Sequence, residues 1–164
     1  MERETFPGLI ETGALVMGYP ESAYWLDVGT PQTFVRGSCD LVLGRLPAPA
    51  VPGPAGPALL LAGAEVAPDA SVSGGTVVGA GASVGAAATV SGSVLFDSAT
   101  VGAGAVVRDS IVGRSAVVAP GAVLDDAVLG DGAFVGAGNE LARGIRIWPG
   151  VRLEPTSVRF STDV

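Results

Sequence analysis

The chain has 164 residues, a net charge of −7 at pH 7, and 48% hydrophobic against 15% charged residues. This length predicts one domain, or one domain with part of a second. The charge argues against nucleic acid and anionic membranes as partners, since no basic cluster neutralises phosphates. The sequence has no histidine, and all nine basic residues are arginine, so a histidine general base, a three-histidine zinc site and a Schiff-base lysine are excluded.

Two short strands are predicted near the amino terminus, over residues 14–19 and 23–28, on either side of the turn-like Pro20-Glu21-Ser22. The segment offers no further strands to complete a sheet, so we expect an exposed apolar edge that favours self-association. The residues of this apolar edge are Leu15, Val16, Met17, Tyr24 and Trp25.

A helix is predicted to follow, with Thr30 as its N-cap, Pro31 at its first position and its end near Gly44. The residues at helical spacing are Phe34, Val35, Ser38, Leu41 and Val42. Two short strands and one helix are marginal as an independent unit. Residues 1–46 are therefore interpreted as the tail of a larger domain.

A proline-rich linker is predicted over residues 47–57, because prolines lack the amide donor and fix φ, which prevents regular pairing. Its prolines are Pro47, Pro49, Pro52, Pro54 and Pro57.

Residues 58–143 repeat with a period of 17, and within each row an aliphatic side chain recurs at about every sixth position. This spacing fits neither a helical face nor a flat alternating strand. The first column contains Leu60, Val78, Leu95, Val112 and Leu129. The second contains Val66, Val84, Val101, Val118 and Val135. The third contains Val72, Val90, Val107, Leu124 and Leu141.

Short strands joined by tight corners explain this pattern, with three aliphatic side chains pointing inward in each turn of a prism and alanine or glycine at the corners. We therefore predict a mainly β fold, a parallel β-helix of five to six coils, over residues 58–164. Trp148, next to Pro149-Gly150, is predicted to cover the open end of the prism.

The run Val78-Gly79-Ala80-Gly81-Ala82-Ser83 resembles the hexapeptide repeat of left-handed parallel β-helices. Periodicity does not determine the hand, so the left hand is an implication of this resemblance. Hexapeptide proteins include acyltransferases, and that activity could survive here only if another subunit supplied the histidine.

The motif Trp25-Leu26-Asp27-Val28-Gly29-Thr30-Pro31 resembles the end of the nucleotidyltransferase domain of sugar-nucleotide pyrophosphorylases. Residues 2–7 and the ending around 147–151 and 158–161 are similar to mannose-1-phosphate guanylyltransferases. The resemblance identifies Trp25, Asp27, Gly29 and Thr30 as the motif residues. It implies an α/β remnant of a nucleotidyltransferase domain ahead of the β-helix.

Members of that family condense a nucleoside triphosphate with a sugar 1-phosphate, releasing pyrophosphate, and use Mg²⁺ held by oxygen ligands. The resemblance implies that Asp27 is one of the Mg²⁺ ligands in a full-length enzyme. The family's Gly-rich phosphate loop, partner aspartate, sugar-recognising residues and signature lysine would precede Met1. We therefore expect an inactive carboxy-terminal fragment that binds no cofactor alone and whose β-helix serves assembly and regulation. A non-enzymatic β-helix interaction module is the alternative.

The single cysteine, Cys39, fits a reducing compartment, and the chain carries no signal-peptide pattern and no apolar run long enough to span a membrane. The expected location is the cytoplasm.

Overall fold

The computed structural model describes residues 2–46, 48–49 and 56–159. Its body is a solenoid of short parallel strands over residues 58–153, and two helices precede it, α1 (Thr5–Glu11) and α2 (Pro31–Val42). The predicted mainly β, parallel solenoid fold is therefore confirmed, while its left hand stays a prediction from the hexapeptide resemblance. Among the described helices, none is long and apolar enough to cross a membrane.

The strands form three parallel sheets, here called faces A, B and C, and the chain visits them in that order in every complete coil. Face A contains β1 (Ala58–Leu60), β4 (Thr76–Val78), β7 (Val94–Leu95), β10 (Ile111–Val112), β13 (Val128–Leu129) and β16 (Arg146–Ile147). Face B contains β2 (Glu65–Val66), β5 (Ser83–Val84), β8 (Thr100–Val101), β11 (Val117–Val118), β14 (Phe134–Val135) and β17 (Arg152–Leu153). Face C contains β3 (Ser71–Ser73), β6 (Thr89–Ser91), β9 (Val106–Arg108), β12 (Val123–Asp125) and β15 (Glu140–Ala142).

The three predicted aliphatic columns are the inward-facing positions of the three faces. Column members pair directly across neighbouring coils, as Val78 does with Leu95 and Val90 with Val107. From Val78 onward these side chains are at most 3% exposed. Leu60, in the first coil, is 51% exposed because its strand has a partner on one side only. The predicted core is confirmed, and it is open at its amino-terminal end.

The coils differ in length, which the 17-residue period does not indicate. Val77 pairs with Val94 at an offset of 17, but Ala58 pairs with Thr76 and Val128 with Arg146, each at an offset of 18. The first of these longer coils accommodates its extra residue where face C turns into face A, through two consecutive glycines with positive φ, Gly74 and Gly75. The first coil and the last complete coil are therefore one residue longer than those between them.

Helix α2 begins and ends as predicted. Thr30 and Thr33 form a reciprocal capping box at its start, and Pro31 occupies the first turn. At its end Gly44 has φ +71, and the amides of Gly44 and Arg45 donate to the carbonyls of Leu41 and Asp40. This is a Schellman motif, for which glycine is favoured because it adopts positive φ without strain.

Helix α2 packs against the outer surface of face A. Val35 and Cys39 are buried against Val94, and Val77 and Ile111 complete this apolar contact. Around it, the Phe34 ring stacks on Phe96 with the ring centroids 6.5 Å apart. The Gln32 side-chain amide donates to Asp126 at 2.9 Å. Outward valine and isoleucine side chains on three adjacent coils therefore form a platform for the helix.

The predicted strands at 14–19 and 23–28 are not formed, and this prediction was wrong. Both segments lack regular secondary structure. A strand requires a hydrogen-bonded partner, and within the described residues ahead of the β-helix no strand is present to supply one. The observed elements there are helices. Helix α1, which the sequence pattern does not predict, has no buried residue. The expected α/β remnant is helical in the described residues.

The prediction for Trp148 was also wrong, because this side chain is 79% exposed. Ile147 pairs with Leu129 and faces the core, so Trp148 falls on the following corner and points to solvent. The carboxy-terminal end is instead covered by half-buried aliphatic side chains packed on the core, which are Ile145, Ile147, Leu153 and Val158. Buried Asn139 secures them by donating to the Glu154 carbonyl and accepting from the Val158 amide, both at 2.8 Å.

Most of the predicted linker, residues 47 and 50–55, lies outside the described residues, as do Phe160 and Ser161. The division of the chain into 1–46, 47–57 and 58–164 stays a prediction.

Candidate functional site

The candidate site is the segment from Tyr24 to Thr30, which lies on helix α2. Alternate side chains of this segment contact the helix: the Tyr24 hydroxyl donates to Asp40, and Leu26 and Val28 approach Gly37. A Cβ added at Gly37 would lie 3.3 Å from Leu26 Cδ2 and 3.4 Å from Val28 Cγ1. The helix therefore has a glycine where the segment lies closest to it.

The intervening side chains, Trp25 and Asp27, are presented to solvent. Trp25 is 81% exposed, and Asp27 is also exposed. Two of the four motif residues are therefore exposed on a helix-bound segment.

Asp27 is held in a local turn. Its Oδ1 accepts a hydrogen bond from the Gly29 amide at 3.0 Å, while Oδ2 accepts none from the described residues. A carboxylate oxygen is a suitable ligand for Mg²⁺, which uses one or two carboxylates together with waters and substrate phosphates. The donor set fits a single protein ligand of this kind. No group of three potential metal-ligating side chains occurs among residues 2–46, 48–49 and 56–159.

The other two motif residues have local structural functions. Gly29 donates to Asp27, and a Cβ at this glycine would lie 3.3 Å from Asp27 Oδ1. The Thr30 side chain accepts from the Thr33 amide at 3.2 Å and thereby caps α2. The motif thus joins an outward-facing carboxylate to the start of a capped helix.

Asp40, which no sequence motif singles out, connects the segment to α2. It is only 2% exposed, and it accepts from the Tyr24 hydroxyl and from the Arg45 guanidinium, each at 2.6 Å. The Tyr24 hydrogen bond, followed by Arg45, holds the pKa of Asp40 below its ordinary value although burial opposes this shift, and the same hydrogen bond raises the pKa of Tyr24. An aspartate between Cys39 and Val42, which both lie on the buried side of α2, is the sequence signal that could have indicated this contact.

A groove of about 560 Å³ lies between α2 and the corners that join faces C and A. Cys39, Arg36 and Asp109 are among the residues that line it. Burial, and then the charge of Asp109, raises the pKa of the Cys39 thiol. The thiol is thereby disfavoured as a thiolate, so its surroundings do not activate it as a nucleophile.

The predicted apolar edge is exposed, as expected. Leu15 is 86% and Met17 80% exposed, and Val16 and Tyr24 are also accessible. Trp25 lines an apolar groove of about 410 Å³ together with Phe34 and Leu41. The surface around the candidate segment is therefore markedly apolar.

The family model for the GMPPB C-terminal domain matches residues 55–154. The chain belongs to the GMPPB C-terminal domain family. Its β-helix is the part that carries this match, since the matched range contains every strand from β1 to β17. The candidate segment and α2 lie ahead of that range.

A curated relative extends the similarity of this GMPPB C-terminal domain chain to the candidate segment. The chain is 53% identical over 165 residues to a mannose-1-phosphate guanylyltransferase from Mycobacterium tuberculosis. That match covers 100% of this chain and 46% of the relative, so the chain spans about half of the relative's length.

Two solved structures are also similar. A putative acetyltransferase from Bacillus cereus is 22% identical, with a TM-score of 0.44, over 58% of this chain and 71% of that chain. A hexapeptide transferase family protein from Anaplasma phagocytophilum is 21% identical, with a TM-score of 0.40, over 65% of this chain and 80% of that chain.

Proposed function

We propose that this chain works as part of a mannose-1-phosphate guanylyltransferase, in which a nucleoside triphosphate and a sugar 1-phosphate form a nucleotide sugar. The observation that carries the proposal is the 53% identity along the whole chain, which includes the outward-facing Asp27 segment as well as the β-helix. The substrates in this proposal are mannose 1-phosphate, which the relative's name states, and a guanosine nucleotide, because that name specifies transfer of a guanylyl group. Acting alone, the chain is expected to be inactive.

In the proposed reaction a phosphate oxygen of the sugar 1-phosphate attacks the α-phosphorus of the triphosphate, and the bond to the bridging oxygen of the β-phosphate breaks as pyrophosphate leaves. Bound Mg²⁺ would neutralise the phosphate charge. Asp27 is the residue of this chain that we assign to holding it. The turn to Gly29 orients Oδ1, and Oδ2 accepts no hydrogen bond from the described residues.

The β-helix is proposed to serve assembly and regulation. Its inward face is filled by aliphatic side chains and alanines, and the chain has no histidine or lysine to supply a general base or a Schiff base. The exposed apolar edge supports self-association. A single cysteine supports a cytoplasmic location, and the net charge of −7 argues against nucleic acid as a partner.

The test is a chimera in which this chain replaces the matched part of the Mycobacterium tuberculosis relative. We expect pyrophosphate release that depends on GTP, mannose 1-phosphate and Mg²⁺. Asp27→Asn should lower turnover by about a hundredfold or more, because it removes a charged ligand from a metal that contributes several kcal/mol. Asparagine retains a side-chain oxygen that can accept from the Gly29 amide, so the turn should survive.

The matched control is Asp125→Asn, an exposed aspartate on face C, and it should leave turnover unchanged. An active chimera in which Asp27→Asn turns over as fast as the parent would refute the metal assignment. A chimera without activity would refute the enzymatic proposal. In that case a non-enzymatic interaction module, favoured by the exposed apolar edge, becomes the better explanation.

A further inference from the structure

We infer that Tyr24 and Asp40 are positioning residues, whose hydrogen bond fixes the candidate segment on helix α2 so that Asp27 faces outward. This inference rests on the proposed function, because it assigns the two residues a part in presenting the Mg²⁺ ligand. Neither residue would touch the metal or the substrates.

The first argument is the position of the bond in the segment. Tyr24 lies three residues before Asp27, and Thr30, the N-cap of α2, lies three residues after it. The segment is thus attached to the helix at both ends, by the Tyr24–Asp40 bond of 2.6 Å and by the start of the helix itself. Between these points Leu26 and Val28 contact Gly37. Asp27, between these two residues, is exposed to solvent.

The second argument is the cost of burying Asp40. A carboxylate that is 2% exposed requires compensating hydrogen bonds, and an apolar residue would fill this helix position at lower cost. Arg45, five residues along the chain, supplies one partner, and it is itself largely exposed. Arg36, one helical turn before Asp40, places its Nε 3.8 Å from Asp40 Oδ2 as a longer ion pair. The second hydrogen-bond partner is Tyr24, sixteen residues earlier in the chain. Asp40 therefore joins two segments that local structure alone would not hold together.

The third argument is the rigid support behind the helix. Cys39, next to Asp40, is buried against Val94 of the β-helix, and its backbone lies against Gly75. A rotation of α2 that moved Asp40 would therefore disturb this apolar contact. The β-helix holds the helix, the helix holds Asp40, and Asp40 holds the segment that carries Asp27.

The first experiment examines the chain itself. Tyr24→Phe removes only the hydroxyl, and Tyr19→Phe, at an 88% exposed position, is the matched control. Proton NMR cross-peaks between the Gly37 α-protons and the Leu26 and Val28 methyl groups report docking. We expect them to fall by about half or more in Tyr24→Phe, since a hydrogen bond to a charged acceptor changes such an equilibrium by roughly tenfold or more. Tyr19→Phe should leave them unchanged.

The second experiment titrates Mg²⁺ in the chimera. We expect Tyr24→Phe to raise the half-saturating Mg²⁺ concentration by about tenfold, as for other groups that orient metal ligands, with turnover at saturating Mg²⁺ retained. A merely destabilised protein would instead lose turnover at an unchanged half-saturation. Circular dichroism of Tyr24→Phe and Tyr19→Phe establishes that the fold is intact. Arg45→Lys, which keeps the charge beside Asp40, is measured in the same way.

The outcomes are distinguishable. Unchanged cross-peaks in Tyr24→Phe overturn the inference, and so does loss of the cross-peaks without any change in the Mg²⁺ half-saturation. An inactive parent chimera counts against the proposed function, while the NMR comparison still decides whether Tyr24 docks the segment.

Discussion

Three buried hydroxyl groups, on Thr76, Ser93 and Ser110, form a ladder at the corner between faces C and A. Each is fully buried. The Thr76 side-chain oxygen accepts from the Ser93 amide, that of Ser93 accepts from the Ser110 amide, and that of Ser110 accepts from the Ala127 amide at 3.0 Å. Each hydroxyl also donates to a backbone carbonyl. The ladder therefore satisfies buried amides where the 17-residue coils turn.

Ser110→Ala tests this ladder. The substitution leaves the Ala127 amide without its partner in a buried site, so we expect the free energy of unfolding to fall by about 1 to 3 kcal/mol. Urea unfolding followed by circular dichroism gives the measurement. Ser71→Ala, on an exposed part of β3, should change stability by no more than about 0.5 kcal/mol. Equal effects of the two substitutions would contradict the role of the ladder.

At the scale of elements, the contact between α2 and the β-helix depends on a close backbone approach. A Cβ added at Gly75 would lie 2.7 to 2.9 Å from the carbonyl oxygen, Cα and Cβ of Cys39. Gly75 also has φ +79, which side chains rarely tolerate. The extra residue of the first long coil thus provides the glycine that admits the helix.

Gly75→Ala is expected to displace α2 from face A, because the added methyl group would overlap backbone atoms that cannot rotate away. The single cysteine is the reporter: the maleimide labelling rate of Cys39, which is 8% exposed, should rise about tenfold or more when the helix moves away. Gly104→Ala has similar strain at φ +65, but no atom lies within 4 Å of the added Cβ. The labelling rate of Cys39 in this variant should therefore stay near that of the parent. Identical rates for the two variants would argue against the close approach.

At the scale of the whole molecule, the two halves of the described chain differ in how they bury apolar side chains. The β-helix encloses its aliphatic columns, with most members at 0 to 3% exposure. The segment before α2 does the opposite, leaving Leu15, Met17 and Trp25 80 to 86% exposed. Several large apolar side chains exposed in one short segment favour association.

We therefore expect the chain to self-associate through this apolar edge. Light scattering should give a mass above that of the 16.1 kDa monomer. The double substitution Leu15→Glu and Met17→Glu should shift the measured mass toward that of the monomer, because it places charge on the contact surface. Trp148→Ser removes an equally exposed aromatic side chain from the far end of the β-helix and should have little effect. A monodisperse monomer in the parent chain would contradict the expectation.

The candidate site was predictable only in part. The motif pointed to Trp25, Asp27, Gly29 and Thr30, and the N-cap role of Thr30 was predictable because capping depends on residues three positions apart. The Tyr24–Asp40 contact was not, since it joins residues sixteen positions apart that no local rule relates. Whether Asp27 binds Mg²⁺ stays a prediction.

The sequence by itself determined the three aliphatic columns and both ends of α2, because strand periodicity and helix capping are properties of residues close together in the chain. Only the tertiary structure decided that residues 14–19 and 23–28 form no strands and that Trp148 points to solvent. It also decided that α2 lies on face A and that the extra residue of the first coil lies where face C turns into face A. These features depend on which distant backbone groups find hydrogen-bond partners and which side chains fit against one another, and both are settled only when the chain is folded.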